Sequence, residues 1–245
     1  MSQPIQSVVN AFAVLEAVAG HQPVGLSETA RLTGLPKTTV LRCLSTLRET
    51  GWLTASPNGR SEWALTNKAL LMGMRSAPAG DLATLMQGEL TAIREEVGET
   101  VHLLVRDGDA QVVVSRADGV GAIRTYLALG TRVPHHSTAS GRAMLAAMPP
   151  AQRQQILDAE ADLPGFDRDD IERHVTAAIT RGYAVNRAEW RTDIAGVGVA
   201  IFGGAGELRA AVSVSLPATR LEDLGAESIA DVLLASQRRV AQLLR

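Results

Sequence analysis

The chain has 245 residues, of which 46% are hydrophobic and 20% charged, so it can bury a core, and its composition excludes wholesale disorder. The net charge is −2, but residues 1–76 sum to +3 and the remainder to −5. Only the N-terminal part therefore has the sign that favours phosphate contact. The single cysteine, Cys43, excludes an internal disulfide and a cysteine-built zinc site. With no signal-peptide pattern and no run of about 18 apolar residues, we expect a cytoplasmic protein of two domains.

Three helices are predicted in the first fifty residues. The first carries apolar side chains at helical spacing, at Val8, Phe12, Leu15 and Val18. A second, short helix should begin at an N-cap, Ser27, and end before Gly34. A third should run from Lys37 to Thr50, with Pro36 at its start. Its apolar face should pack on the first two helices through Val40, Leu41, Leu44 and Leu47.

The order of these elements, a short helix, a turn of about four residues and an amphipathic helix, is the helix-turn-helix pattern. The polar face of the third helix has basic and hydroxyl side chains that suit bases and phosphates: Lys37, Thr38, Thr39, Arg42 and Ser45. Two strand-like segments, 52–55 and 62–65, flank a turn at 57–60 and predict a wing with Arg60 at its tip. The alternative is another small helical module whose polar face is only solvated.

Residues beyond 66 predict a linker helix and a second domain. A helix over 67–76 is followed, after Pro78 and Gly80, by a helix with apolar side chains at helical spacing: Leu82, Leu85, Met86, Ile93 and Val97. Strands are predicted over 101–106, 111–116, 122–129, 197–202 and 208–216, and helices over 140–148, 150–160, 169–181 and 222–244. Asp167 or Asp169 should cap the helix over 169–181, which Gly182 ends. The pattern predicts an α+β fold with one antiparallel sheet in this domain.

No catalytic or nucleotide-binding motif stands out in the second domain. The glycine-rich segment GVGVAIFGGAG lacks the strand-turn-helix order of a phosphate-binding loop and is interpreted as a turn. His102, His135 and His136 could form a metal site, but no fourth ligand is obvious. The alternative is that His136 packs or hydrogen-bonds near the domain entrance. We therefore predict no metal and no cofactor.

Three separated segments carry a family resemblance. LSETARLTGLPKTTVLRCLSTLRETGWL with the later LTNKALLMG, then TRVPHHSTASGRAMLAAMP, then RGYAVNRAEW with VGVAIFGGAGELRAAVSVSLP, together resemble the IclR family of bacterial regulators. One departure is Asn10, where the resemblance leads us to expect arginine. The resemblance implies a winged helix-turn-helix domain at 1–66, a linker helix at 67–80, and a GAF-like domain for effector binding and oligomerisation at 81–245.

The resemblance also implies an effector pocket between the sheet and its loops. Carried over position by position, its wall would contain Ala122, Thr125, Ala139, Ser140, Asn186, Gly196, Ser213 and Ser215, with Arg124 near enough in sequence to assist. Small residues and amides at the helix start near Ser140 suit an anion, so an organic acid or aromatic metabolite is the expected effector. Any one of these serines could equally be a structural cap or strand hydroxyl.

The expected partners are double-stranded operator DNA, a small effector and further copies of the chain, without a membrane. A helix-turn-helix of this size makes few base contacts, so two half-sites read by a homodimer or a dimer of dimers are expected. Two other functions stay open. One is an enzyme with a helix-turn-helix appendage, and the other is a DNA-binding protein whose C-terminal domain serves only assembly.

Overall fold

The computed structural model describes residues 3–55, 61–75, 78–121, 125 and 127–244. The chain divides into two compact units, Met1–Ala77 and Pro78–Arg245. In the part of the chain that is described, no helix combines the length and the apolar character needed to cross a membrane.

The first unit has four helices and a small sheet among its described residues. In chain order these are α1 (Gln6–His21), β1 (Val24–Gly25), α2 (Leu26–Thr33), α3 (Lys37–Glu49), β2 (Leu53–Ala55), β3 (Glu62–Leu65) and α4 (Lys68–Arg75). The strands pair antiparallel in the order β1-β3-β2. Its core is formed by Val14, Val18, Val24, Val40, Leu44, Leu47, Leu53 and Trp63. The three predicted helices and both strands of the wing are confirmed, whereas β1 was not predicted.

Details of the helix starts and faces differ from expectation. Ser27 is not an N-cap, because α2 already begins at Leu26 and Gly25 occupies the cap position. Leu41 is 47% exposed, since residues 40, 44 and 47 form the buried face of α3 and the next residue is rotated by about 100°. Val8 and Phe12 are also exposed, so the buried face of α1 is centred on Val14 and Val18.

The second unit is an α+β fold. Its elements are α5 (Pro78–Val97), β4 (Thr100–Asp107), β5 (Ala110–Ala117), β6 (Arg132–Val133), α6 (Ala139–Ala147), α7 (Pro150–Ala159), α8 (Arg168–Arg181), β7 (Ala184–Arg191), β8 (Ile194–Phe202), β9 (Leu208–Pro217), α9 (Ala218–Leu224) and α10 (Ala226–Leu243). The strands form one antiparallel sheet in the order β6-β5-β4-β9-β8-β7. The predicted fold class and single sheet of this unit are confirmed.

Two element predictions for this unit need correction, and two of its strands, β6 and β7, were not predicted. The strand predicted over 122–129 does not exist at Thr125 and 127–129, while 122–124 and 126 lie outside the described residues. The edge strand is β6 instead, which pairs with Gln111 and Val112. The predicted final helix is divided into α9 and α10 by Gly225, whose φ of 77° favours glycine.

Helices cover both faces of the six-stranded sheet. Helices α5 and α10 pack on one face, where Val197, Val199, Val212 and Val214 contribute to the larger core. Helix α6 lies on the other face against β8 and β9. A Cβ at Gly198 of β8 would lie 2.8 Å from the carbonyl carbon of Ala139, so the start of α6 rests directly on the sheet backbone. This close approach places the first turn of α6 above the strands that carry the predicted serines.

Candidate DNA-binding surface and ligand pocket

The polar face of α3 is open to solvent. Lys37, Thr38 and Arg42 are exposed, and Thr39 and Ser45 are half-buried beside them. Pro36 provides no side-chain cap, so amides in the first turn of α3 keep hydrogens available to a phosphate. The exposed Leu41 adds an apolar group to this face, of the kind that contacts a thymine methyl. Helical periodicity counted Leu41 as core, so the sequence reasoning missed it.

The strands of the wing pack on α3 through the shared core, in which Leu53 and Trp63 meet Val40, Leu44 and Leu47. The guanidinium of Arg48 lies 5.7 Å from the centre of the Trp63 ring on β3. Arg60, predicted at the tip of the wing, lies outside the described residues. Asn10, where arginine was expected, accepts a hydrogen bond of 2.9 Å from Gln6 on α1.

A pocket in the second unit brings together seven of the nine residues predicted to bind an effector. Strands β7, β8 and β9 and the start of α6 supply six of them, and the seventh lies in the loop before β6. The seven are Thr125, Ala139, Ser140, Asn186, Gly196, Ser213 and Ser215. The other two, Ala122 and Arg124, lie outside the described residues.

Sequence reasoning missed the other half of the pocket wall. The additional lining residues are His102, Leu104, Leu127, Val133, Thr138, Trp190, Ile194 and Ala195. His102 and Leu104 alternate onto one face of β4, and His102 is directly opposite Ser213 in the β4–β9 register. The alternation was visible in the sequence, but the register that selects this face was not.

The pocket wall is neutral among the described residues, which include no Asp, Glu, Lys or Arg in the lining. The cavity has a volume of about 40 Å³, enough for a few waters. The hydroxyl of Thr125 is buried there and has no hydrogen-bond partner among the described atoms. A buried hydroxyl without a partner is costly, so it favours a ligand that supplies one.

Two polar lining residues have structural partners. Asn186 donates from Nδ2 to the carbonyl of Ser137, and its Oδ1 accepts from the amide of Ala188 at 2.9 Å. Thr138 is the N-cap of α6, because its Oγ1 accepts from the amide of Gly141 at 3.1 Å. These two side chains therefore shape the pocket, and the remaining hydroxyls are better placed to meet a ligand.

His102 is completely buried at the pocket floor, and both of its ring nitrogens have neighbours. Nε2 lies 3.0 Å from the backbone nitrogen of Leu127, and Nδ1 lies 3.3 Å from Oγ of Ser215. Burial, with the positive charge of Arg116 adding to it, lowers the pKa of His102 to about 4 against a weaker opposing effect of Asp118. The ring is therefore neutral at pH 7.

The loop that leads into α6 is fixed by one buried carboxylate, Glu160. Its two oxygens accept the backbone amides of His135 and His136 at 2.7 and 2.9 Å. They also accept hydrogen bonds from the ring Nδ1 atoms of the same two residues, at 3.3 and 2.9 Å. Burial by itself raises the pKa of Glu160, but the hydrogen bonds from both histidines outweigh burial and lower it to about 2. Glu160 therefore remains an anion at neutral pH.

The three histidines considered as a metal site do not form one. His135 and His136 share Glu160, whereas His102 bonds to Leu127 and Ser215. Within the described ranges, no group of three or more His, Cys, Asp or Glu side chains is arranged to hold a metal ion.

Both units match models of known protein families. The IclR helix-turn-helix domain matches residues 7–57, and the bacterial transcriptional regulator IclR C-terminal domain matches residues 74–242. The chain belongs to the IclR family of bacterial transcriptional regulators. It is thus a DNA-binding transcriptional regulator, as the resemblance in the sequence indicated.

Individual relatives align over nearly the whole chain. The HTH-type transcriptional regulator KipR of Bacillus subtilis is 28% identical, covering 88% of this chain and 87% of that protein. The crystal structure of the Thermotoga maritima IclR is 26% identical, with a TM-score of 0.77 and 98% of both chains covered. An IclR homologue of Microbacterium hydrocarbonoxydans complexed with 4-hydroxybenzoate shares the fold at 20% identity, with a TM-score of 0.82 and coverage of 98% and 99%.

Proposed function

We propose that this IclR-family regulator binds operator DNA through α3 and that a small organic or aromatic acid in the second-unit pocket controls this binding. The proposal of an effector site rests on one observation, which is that seven of the predicted residues line a single pocket. The DNA part is supported by the exposed basic and hydroxyl side chains of α3 and by its uncapped first turn. Because one helix-turn-helix domain makes few base contacts, a homodimer or a dimer of dimers on paired half-sites is favoured.

The recognition helix is tested by Arg42→Ala. Arg42 is exposed on α3 and is proposed to bond a guanine edge, so its removal should weaken specific operator binding by about 100-fold. The measurement is a gel-shift titration at fixed salt concentration, with sedimentation as a check on the oligomeric state. Arg173→Ala on α8, with the same charge change at an exposed arginine of the other unit, is the control and should bind normally. Unchanged operator binding by Arg42→Ala would refute the assignment of α3.

An acid is the proposed effector class because the pocket offers neutral hydrogen-bond donors and the first turn of α6. The hydroxyl of Thr125 has no partner among the described atoms, and Ser140 is the second residue of α6, where helix amides favour negative charge. The homologue complexed with 4-hydroxybenzoate supplies a first probe of this class. The pocket is proposed to bind its ligand without turning it over. Its one ionisable lining side chain among the described residues, His102, has both nitrogens engaged.

Ligand binding is tested by thermal unfolding with 4-hydroxybenzoate, benzoate and butyrate, compared with benzylamine. A ligand at 100 times its Kd should stabilise the folded protein by about 2.7 kcal/mol, and only acids should do so. Ser213→Val, which removes a hydroxyl and adds bulk in the pocket, should abolish the shift. Thr180→Val at an exposed site on α8 is the control and should keep it. No shift with any acid would favour a second unit that serves only assembly.

A further inference from the structure

The hydrogen on the buried His102 ring can be placed from its neighbours. A backbone amide can only donate, so the Nε2 atom that lies 3.0 Å from the amide of Leu127 must accept and carries no hydrogen. The ring is neutral at pH 7 because it is buried. A neutral imidazole keeps one hydrogen, which is then on Nδ1.

This tautomer sets the direction of the next hydrogen bond. Nδ1–H of His102 donates to Oγ of Ser215 over 3.3 Å. The reverse direction would leave Nδ1 bare and put the ring hydrogen on Nε2, pointing at the amide hydrogen of Leu127. Two donors would then oppose each other in a buried site, which is strongly unfavourable.

Oγ of Ser215 uses one lone pair to accept from His102. Its own hydroxyl hydrogen is then free to be donated to another group. Ser215 lines the same pocket as Thr125, whose buried hydroxyl also lacks a partner among the described atoms. Both hydroxyls are thus suited to donate to an oxygen of a bound ligand. An ammonium group would bring a further donor to this part of the pocket and would be disfavoured.

We propose that His102 is a positioning residue that makes Ser215 a hydrogen-bond donor to the ligand and links the ligand site to the backbone at Leu127. The inference rests on the proposed function, since it needs a ligand in this pocket. It adds a residue of the pocket that selects the chemistry of the ligand through Ser215. It also predicts that the two ring nitrogens have separable roles, because one faces Ser215 and the other faces Leu127.

Two substitutions separate these roles in the full-length protein. His102→Asn puts an amide N–H where Nδ1 lies, so it can still donate to Ser215 but cannot reach Leu127. His102→Gln puts an oxygen near the position of Nε2, so it can accept from Leu127 but leaves Ser215 without its donor. His174→Asn on α8, where the ring is bonded to Asp170, is the matched control.

The first measurement is the tautomer of His102, by NMR of protein labelled with ¹⁵N in the histidine rings and assigned with the two variants. We expect a hydrogen on Nδ1 and none on Nε2. A hydrogen on Nε2 overturns the inference and leaves the proposed effector pocket intact. Binding of 4-hydroxybenzoate and benzoate is then measured by calorimetry. His102→Asn and His174→Asn should stay within about threefold of wild type, and His102→Gln should bind about tenfold more weakly.

If His102→Gln does not fold, Ser215→Ala provides a second test that leaves His102 in place. This variant should lose about tenfold in acid affinity while the amide resonance of Leu127 and the tautomer of His102 remain unchanged. Equal losses in His102→Asn and His102→Gln, or full affinity in Ser215→Ala, would overturn the positioning role. A wild-type protein that binds no acid overturns the effector class itself, and the inference falls with it.

Discussion

Glu160→Gln should lower the free energy of unfolding by about 3 kcal/mol, because it breaks a buried group of charge-assisted hydrogen bonds. Glu160 is only 3% exposed. Its carboxylate accepts four hydrogen bonds, two from the backbone amides and two from the rings of His135 and His136. Glutamine has nearly the same volume but replaces one accepting oxygen with an NH₂ group. That group would face donors in a site from which water is excluded, so at least two hydrogen bonds are lost.

Chemical denaturation at pH 7 measures this difference, with Asp158→Asn as a matched control. Asp158 lies in the last turn of α7, the helix whose C-cap is Glu160, and its 60% exposed side chain pairs with Arg168 at 2.7 Å. Both substitutions remove one negative charge, but an exposed ion pair contributes only about 0 to 1 kcal/mol. Equal, small losses in the two variants would mean that Glu160 does not fix the loop.

The pH dependence gives a second measure of the same group. The pKa of Glu160 is lowered to about 2, whereas an unperturbed glutamate titrates near 4.5. Its contribution to stability is thus complete above about pH 4.5 and is lost as the pH falls towards 2, because the unfolded chain takes up the proton first. The difference in unfolding free energy between wild type and Glu160→Gln should shrink over this interval. A difference independent of pH would contradict the assignment.

Local chemistry explains why some elements could be predicted from the sequence. Helix α3 is defined by apolar side chains at Val40, Leu44 and Leu47, and it ends at Glu49, two residues before Gly51, which has a φ of 78°. These signals involve residues close in sequence. By contrast, β1 and β6 have two residues each and exist because they pair with distant segments, Glu62 and Trp63 in one case and Gln111 and Val112 in the other.

The pocket shows the same division between local and non-local information. Alternation in a strand places Ser213 and Ser215 on one face, and this was readable from the residues. His102 joins them only through the register between β4 and β9. Trp190 joins through an irregularity of β7 near Ala188, whose φ of 73° is uncommon for a residue other than glycine. No sequence pattern indicated this irregularity.

Gly141→Ala should destabilise the second unit by about 3 kcal/mol or more, although alanine is the better helix former. Gly141 is the third residue of α6, and a Cβ there would lie 2.3 Å from both the Cα and the carbonyl oxygen of His135. Those are backbone atoms, and the amide of His135 is held by Glu160. Neither the helix nor the loop can move without a large cost in free energy. The added methyl group would nevertheless force α6 to shift away from the loop.

Gly88→Ala is the matched control for this prediction, because Gly88 lies within α5 and a Cβ there has no neighbour within 4 Å. Without a clash, only helix propensity changes, and Gly88→Ala should stabilise the protein by about 0.5 to 1 kcal/mol. The two identical substitutions should therefore have opposite signs in thermal and chemical denaturation. Since the start of α6 lines the pocket, Gly141→Ala should also weaken acid binding where it still folds. Stabilisation by both substitutions would show that α6 and the His135 loop are not in close contact in solution.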